Sequence, residues 1–104
     1  YIDAYARLAH TTTSEGDYLP MVKVAPVYPL EAQRRRQEGY VLLEFTVNEL
    51  GRVENPRIVE EHPEGVFGEA ALMAAREFQY LPKVVDGVAV STAGVRNLVT
   101  FELR

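Results

Sequence analysis

The chain has 104 residues, of which 47% are hydrophobic and 25% are charged, a composition typical of one folded globular domain. Fifteen acidic residues against eleven basic ones give a net charge of -4, which argues against a nucleic-acid backbone as the main partner. The absence of cysteine excludes a disulfide framework and a thiolate metal site. No apolar run approaches the roughly 18 residues that span a bilayer. Because the chain starts at Tyr1 rather than at methionine, we expect a processed or excised fragment whose membrane anchor could lie elsewhere.

The first seventeen residues predict an appended segment. Ile2, Tyr5 and Leu8 recur at helical spacing, and the polar Thr/Ser/Gly stretch that follows them is typical of a loop. We therefore divide the chain into a helix-and-linker segment, 1–17, and a domain, 18–104.

A stiff proline segment opens the domain. Pro26 and Pro29 favour extended backbone in the residues before them. Pro29 is also suited to the first position of a short helix over residues 30–37, where its missing N–H costs nothing. Gly39 would end that helix in the left-handed conformation.

A period-two pattern begins at Tyr40 and predicts a strand with one buried face. The apolar positions of that face are Val41, Leu43, Phe45 and Val47. A turn at Leu50-Gly51 leads into a second strand, "RVENPRIVEE", whose apolar residues do not share one parity. Together with Pro56, this irregularity predicts a bulged edge strand.

The second half predicts a helix over residues 66–80, a hairpin around Asp86-Gly87 and a last strand over residues 95–103. The predicted fold class is α+β: a three-stranded antiparallel sheet with two helices packed on one face, plus the appended N-terminal segment.

No catalytic motif, cofactor motif or phosphate loop is present. Carboxylates surround His62 in "EEHPE", but no second ligand cluster at metal-binding spacing accompanies them. The basic run of residues 34–36 could bind phosphate or an acidic partner, or could be a solvated helix end favoured by the helix dipole. We predict that the chain is not an enzyme and has no catalytic, cofactor-binding or metal site.

The edges of the predicted sheet are the remaining candidates for function. Pro56 protects the second strand against pairing, whereas the last strand, 95–103, contains no proline. That strand is the predicted docking edge for an extended peptide. The alternatives are that residues 1–17 cover the edge, or that a second copy covers it in a homodimer.

Three stretches resemble the C-terminal domain of TonB, the energy transducer of Gram-negative envelopes. They are "APVYPLEAQRRRQEGYVLLEFTVNELGRV", "HPEGVFGEAALMAAREFQYLP" and "VRNLVTFEL". The resemblance runs from about Tyr18 to Leu103. Its markers, in order, are Tyr28-Pro29 with Ala32, Glu38-Gly39, Gly51, Phe67 with Ala70 and Ala71, Tyr80 with Pro82, and Phe101.

The resemblance implies a periplasmic domain, anchored in the inner membrane by one N-terminal helix outside this fragment and working with ExbB and ExbD. It implies binding of the TonB box of outer-membrane transporters for iron chelates, haem or cobalamin, by strand addition to the last strand. The segment before Tyr28-Pro29 would also touch the transporter.

Carried over by position, the predicted partner-binding residues are Val24, Ala25, Pro26, Val27, Tyr28, Arg36, Val95, Arg96, Asn97, Leu98, Val99, Thr100 and Phe101. Two positions depart from the family pattern. Ala25 occupies a position where other family members carry glutamine, and Glu31 occupies one where they carry a basic residue. Recognition near Ala25 would therefore depend on backbone and shape. An alternative function is an envelope assembly or sensor-protein interaction module that uses the same edge for dimerisation or for another partner.

Overall fold

A computed structural model describes residues 4–8 and 20–103. In chain order the elements are β1 (Ala4–Leu8), β2 (Pro20–Val22), α1 (Leu30–Arg34), β3 (Gly39–Val47), β4 (Val53–His62), α2 (Gly68–Ala75), β5 (Gln79–Tyr80), β6 (Lys83–Val85), β7 (Val88–Val90) and β8 (Thr92–Leu103). The predicted linker over residues 9–17 and the domain boundary after residue 17 lie outside the described residues.

The main sheet is antiparallel and has the strand order β1-β8-β3-β4. Strands β8, β3 and β4 with the two helices are the predicted fold class, which is confirmed. In β3 every second side chain is buried, as the period-two pattern requires. These side chains form one core with the alternate residues of β8 and the alanines of both helices. The core therefore lies between the helices and one face of the sheet.

The prediction of a helix in the N-terminal segment is wrong for residues 4–8, which form strand β1. This strand pairs antiparallel with β8, from Ala4 opposite Leu103 to Leu8 opposite Val99. A short lone helix is marginal in water, whereas an open strand edge offers backbone partners at once. The last strand is consequently not the sheet edge over residues 99–103, which corrects that part of the edge prediction.

Helix α1 is shorter than predicted, and Gly39 has a different role. The helix ends at Arg34, and Arg36 takes the left-handed conformation with φ 54°. Gly39 instead begins β3, where an added Cβ would lie 2.1 Å from the His62 carbonyl oxygen. The glycine is therefore required by the close approach of β4.

The turn between β3 and β4 is built by Asn48 and Gly51. The Asn48 side-chain oxygen accepts hydrogen bonds from the backbone N–H groups of Leu50 and Arg52, at 2.9 Å each. Gly51 has φ 81°. Strand β4 shows two register shifts against β3 and lies at the sheet edge, as its mixed parity and Pro56 predict.

Helix α2 ends at Ala75, five residues before the predicted end, and Gln79–Tyr80 forms β5. Strand β5 pairs with β2, and the Tyr80 N–H donates to the Gly51 carbonyl at 2.9 Å. The predicted hairpin is confirmed as β6 and β7, with positive φ at Asp86 and Gly87.

Candidate functional site

The two predicted contact segments lie on different elements. Residues 24–28 form an extended connection between β2 and α1, and residues 95–101 form most of β8. Within the first segment Val24, Ala25 and Val27 are exposed, whereas Pro26 and Tyr28 are buried. Alternate burial of this kind anchors the segment and leaves its other side chains free for a partner.

Three aromatic rings join these segments inside the protein. The Phe67 and Phe101 rings stack with centroids 4.3 Å apart. Tyr28 meets both rings edge-on, with its centroid 5.6 Å from each. Because Phe101 lies in β8 and Tyr28 ends the proline segment, the rings connect the two segments through the core.

The Tyr28 hydroxyl secures this arrangement by donating a hydrogen bond to the Gln37 carbonyl. Burial, and secondarily the carboxylate of Glu38, raise the pKa of the Tyr28 phenol above its ordinary value of 10.0. The phenol therefore stays protonated and remains a donor at physiological pH.

A shallow apolar groove of about 520 Å³ runs beside the proline segment. One wall is formed by residues 24–27 and Pro29, and the other by Ala70, Met73, Ala74 and Glu77 around α2. The side chains of Val27 and Met73 are 80% and 61% exposed. An apolar surface of this kind is commonly a binding surface.

Strand β8 is only partly free on its outer side. Its inner side pairs with β3 from Thr92 to Phe101. On the outer side β1 covers residues 99–103, and no strand within the described residues pairs with residues 92–98. Of the predicted contacts in β8, Val99, Thr100 and Phe101 are therefore paired on both sides.

One hydrogen bond shows which N–H groups of β8 point towards β3 and which point outward, and the sequence did not predict this bond. The Leu103 N–H donates to the carboxylate of Glu38, which directly precedes β3, at 2.7 Å. Since the register with β3 is unbroken from Val95 onward, the odd-numbered residues of β8 from Val95 to Leu103 direct their N–H groups towards β3. Since successive residues alternate, Arg96 and Leu98 direct theirs outward, to the uncovered edge.

The side chains of β8 offer little exposed surface for a partner to contact. Val95, Asn97, Val99 and Phe101 are fully buried on the helix side, and the residues between them are half-buried on the other face. The amide of Asn97 has no hydrogen-bond partner within the described residues. A partner at this strand would meet main-chain groups first.

On the open face of the sheet Arg96 belongs to a charge cluster. Its guanidinium donates to the Glu44 carboxylate at 3.0 Å, and Arg57 donates to the same carboxylate at 2.8 Å. The hydrogen bonds from Arg57 and then Arg96 lower the pKa of Glu44 below its ordinary value of 4.5. The cluster links β8, β3 and β4 across their solvent face.

Arg36 lies in the exposed loop after α1 and makes no ion pair with a described residue. Its neighbour Arg34 pairs with Glu31 at 2.8 Å. Within the described residues there is no group of three or more metal-ligating side chains. Nor does any helix in that part of the chain have the length and apolarity needed to cross a membrane.

The family model described as "Gram-negative bacterial TonB protein C-terminal" matches residues 24–103. The chain is 30% identical over 86 residues to Protein TonB of Pseudomonas aeruginosa, covering 83% of this chain and 25% of that protein. It is 33% identical over 97 residues to Protein TonB of Escherichia coli, covering 83% of this chain and 41% of that protein. The chain thus spans between a quarter and about two fifths of these relatives.

Two solved structures have a similar fold. The solution structure of the TonB C-terminal domain of Pseudomonas aeruginosa superposes with a TM-score of 0.63 and 27% identity, covering 91% of this chain and 93% of that one. The TonB2 protein of Vibrio anguillarum gives 0.62 and 32% identity, with 90% and 89% coverage.

Proposed function

Since the chain belongs to the family of Gram-negative bacterial TonB protein C-terminal domains, we propose that it is the transporter-binding domain of an envelope energy transducer. Its partner is the TonB box of outer-membrane transporters for iron chelates, haem or cobalamin. The transducer works in the periplasm, is anchored in the inner membrane outside these 104 residues, and is driven there by ExbB and ExbD. This role requires no catalytic chemistry.

The observation that carries the proposal is the outer edge of β8 before Val99. Within the described residues no strand pairs with it there, yet β3 holds its other side along almost its whole length. The outward backbone groups of Arg96 and Leu98 can accept an extended peptide through main-chain hydrogen bonds. The edge is thus rigid and ready to pair.

The proline segment provides the second contact. Its exposed valines lie beside the groove formed with α2, and the fixed φ of Pro26 and Pro29 limits the freedom that would be lost on docking. The buried Tyr28 ties this segment to β8, so both contacts move together.

Strand addition suits a domain that transmits force. Several main-chain hydrogen bonds loaded together in shear resist pulling better than bonds that break one at a time. The stacked rings of Phe67 and Phe101 then pass the load from β8 into the core.

Binding is tested by titrating the isotope-labelled chain with a synthetic TonB-box peptide and following backbone amide signals by NMR. We expect shifts over residues 95–98 and 24–28. Leu98→Pro removes an outward N–H, so it should abolish binding while the strand still pairs with β3. Preserved far-UV circular dichroism checks that this variant is folded.

A matched pair of valines tests the second contact. Val27→Asp, at a position 80% exposed beside the groove, should weaken binding about tenfold, equivalent to about 1.4 kcal/mol. Val84→Asp, at a position 60% exposed in the β6–β7 hairpin, should leave it unchanged. An absence of peptide-induced shifts at millimolar peptide would contradict the proposal and favour the assembly or sensor module.

A further inference from the structure

We propose that β1 is an exchangeable internal strand, and that an incoming partner strand first pairs with residues 94–98 of β8 and then replaces β1 along residues 99–103. This inference rests on the proposed function, because it describes how the partner reaches its full binding site. It makes the N-terminal segment a competitor of the partner.

The overlap of the two binding ranges requires an exchange. A strand that pairs with residues 95–101 needs the edge that β1 occupies at residues 99, 100 and 101. Over residues 94–98 no described strand is in the way. A partner can therefore form its first hydrogen bonds with Arg96 and Leu98 and advance from there.

The composition and position of β1 indicate that it pairs only weakly with the outer edge of β8. It has only five residues, "AYARL", two of which are alanine, the smallest apolar side chain. It ends the sheet, and β8 is its one strand neighbour within the described part of the chain. Short strands at the edge of a sheet open at low free-energy cost.

Loss of β1 leaves the rest of β8 supported. The Phe101 ring keeps its stacking with Phe67 and its contact with Tyr28, and β3 still pairs with the inner side. The exchange therefore replaces one outer strand by another without opening the core.

The register of β1 indicates which partner sequences fit. Ala4, Ala6 and Leu8 lie opposite Leu103, Phe101 and Val99, of which the last two are fully buried. A partner in this register needs small or apolar residues at alternate positions. We expect an extended peptide of that pattern, long enough to cover residues 94–103.

The same register identifies substitutions that release β1. The even-numbered residues of β8 direct their backbone groups outward, so Tyr5 and Arg7, which face Glu102 and Thr100, form the hydrogen-bonded pairs. The double variant Tyr5→Pro with Arg7→Pro removes both donors. The matched control, Ala4→Pro with Ala6→Pro, carries two prolines whose missing N–H groups point away from β8.

A reversible lock gives the opposite perturbation. Arg7 and Thr100 face each other, and a hydrogen-bonded pair has its Cα atoms about 5.5 Å apart, within the range of a disulfide. Because the chain has no cysteine, Arg7→Cys with Thr100→Cys gives a single possible bridge. The reduced form of the same protein is its control.

The experiment measures the affinity of each variant of the 104-residue chain for the TonB-box peptide. If β1 occupies the edge about 90% of the time, its release tightens apparent binding about tenfold. The oxidised lock should weaken binding by at least a similar factor, and reduction should restore it. A synthetic peptide of residues 1–10 should bind the released variant, with shifts over residues 99–103, and should bind the parent chain about tenfold more weakly.

The outcomes separate this inference from the proposed function. Equal box affinity in the parent, released and oxidised proteins would overturn the exchange and leave box binding intact. If no variant binds the box but the released variant binds the peptide of residues 1–10, the exchangeable strand is supported and the proposed partner is wrong. Should the released variant fail to fold, the lock in its two redox states still decides.

Discussion

Replacing Gly51 by alanine tests how much the close packing of the β3–β4 turn against Tyr80 in β5 contributes to stability. Gly51 has φ 81°, and an added Cβ would lie 1.9 Å from the Tyr80 carbonyl oxygen. Gly87 offers a matched control, because its φ is 80° and an added Cβ would meet nothing within 4 Å. The two variants share the cost of left-handed backbone and differ in the close approach.

The shared cost of placing alanine in left-handed backbone is roughly 1 to 2 kcal/mol. At Gly51 the backbone must also retreat from Tyr80, whose N–H donates to the Gly51 carbonyl at 2.9 Å and whose side chain is buried. Losing that bond costs about 1 to 3 kcal/mol more. Gly51→Ala should therefore destabilise the fold by about 1 to 3 kcal/mol more than Gly87→Ala does.

Urea unfolding followed by far-UV circular dichroism measures both variants against the parent. For a domain of this size 1 kcal/mol corresponds to about 4 to 8 °C in Tm, so thermal unfolding should also separate them. Since β5 pairs with β2 directly before the proline segment, Gly51→Ala should speed amide exchange over residues 24–28. Equal loss of stability in the two variants would refute the reasoning from close approach.

Two further predictions concern β8 and its neighbour. The lowered pKa of Glu44 means that its pairs with Arg57 and Arg96 stabilise the fold above the ordinary carboxyl pKa, and that this contribution is lost as the pH falls through the lowered pKa. Glu44→Gln should therefore cost more stability at pH 7 than at the lowest pH at which the parent chain stays folded, measured by urea unfolding; an equal cost at both would contradict this. Asn97→Val should raise the free energy of unfolding by about 1 kcal/mol, because it removes a buried amide without a partner in the described structure; a clear loss would reveal a hidden partner.

The confirmed parts of the fold are those whose pattern is local. The alternation of β3 and β8, the apolar residues of α2 and the Asp86-Gly87 turn each show a periodicity or a turn residue that reports its own environment. The resemblance also predicts the family, and the family-model match over residues 24–103 confirms that prediction.

Only part of the candidate site can be predicted from local sequence patterns. The sequence predicts the proline segment and β8 as two contacts of one partner, and their role in binding stays a prediction. That Tyr28 contacts Phe101 and so joins the two segments is a finding of the structure. Glu38 is a family marker in the sequence, but its bond to the Leu103 N–H is not predictable, because a carboxylate before a strand has no sequence signature for its partner.

Local sequence patterns establish which faces are apolar, where the chain turns and to which family it belongs, because side-chain periodicity and turn chemistry act over a few residues. The folded chain is needed to see that residues 4–8 pair with the last strand, that Gly39 is needed for the approach of His62, and that Gln79–Tyr80 leaves the helix to pair with β2. Each of these depends on backbone groups brought together from distant parts of the chain. Which of these long-range contacts form depends on the free energy of the whole fold, so no local sequence pattern reveals them.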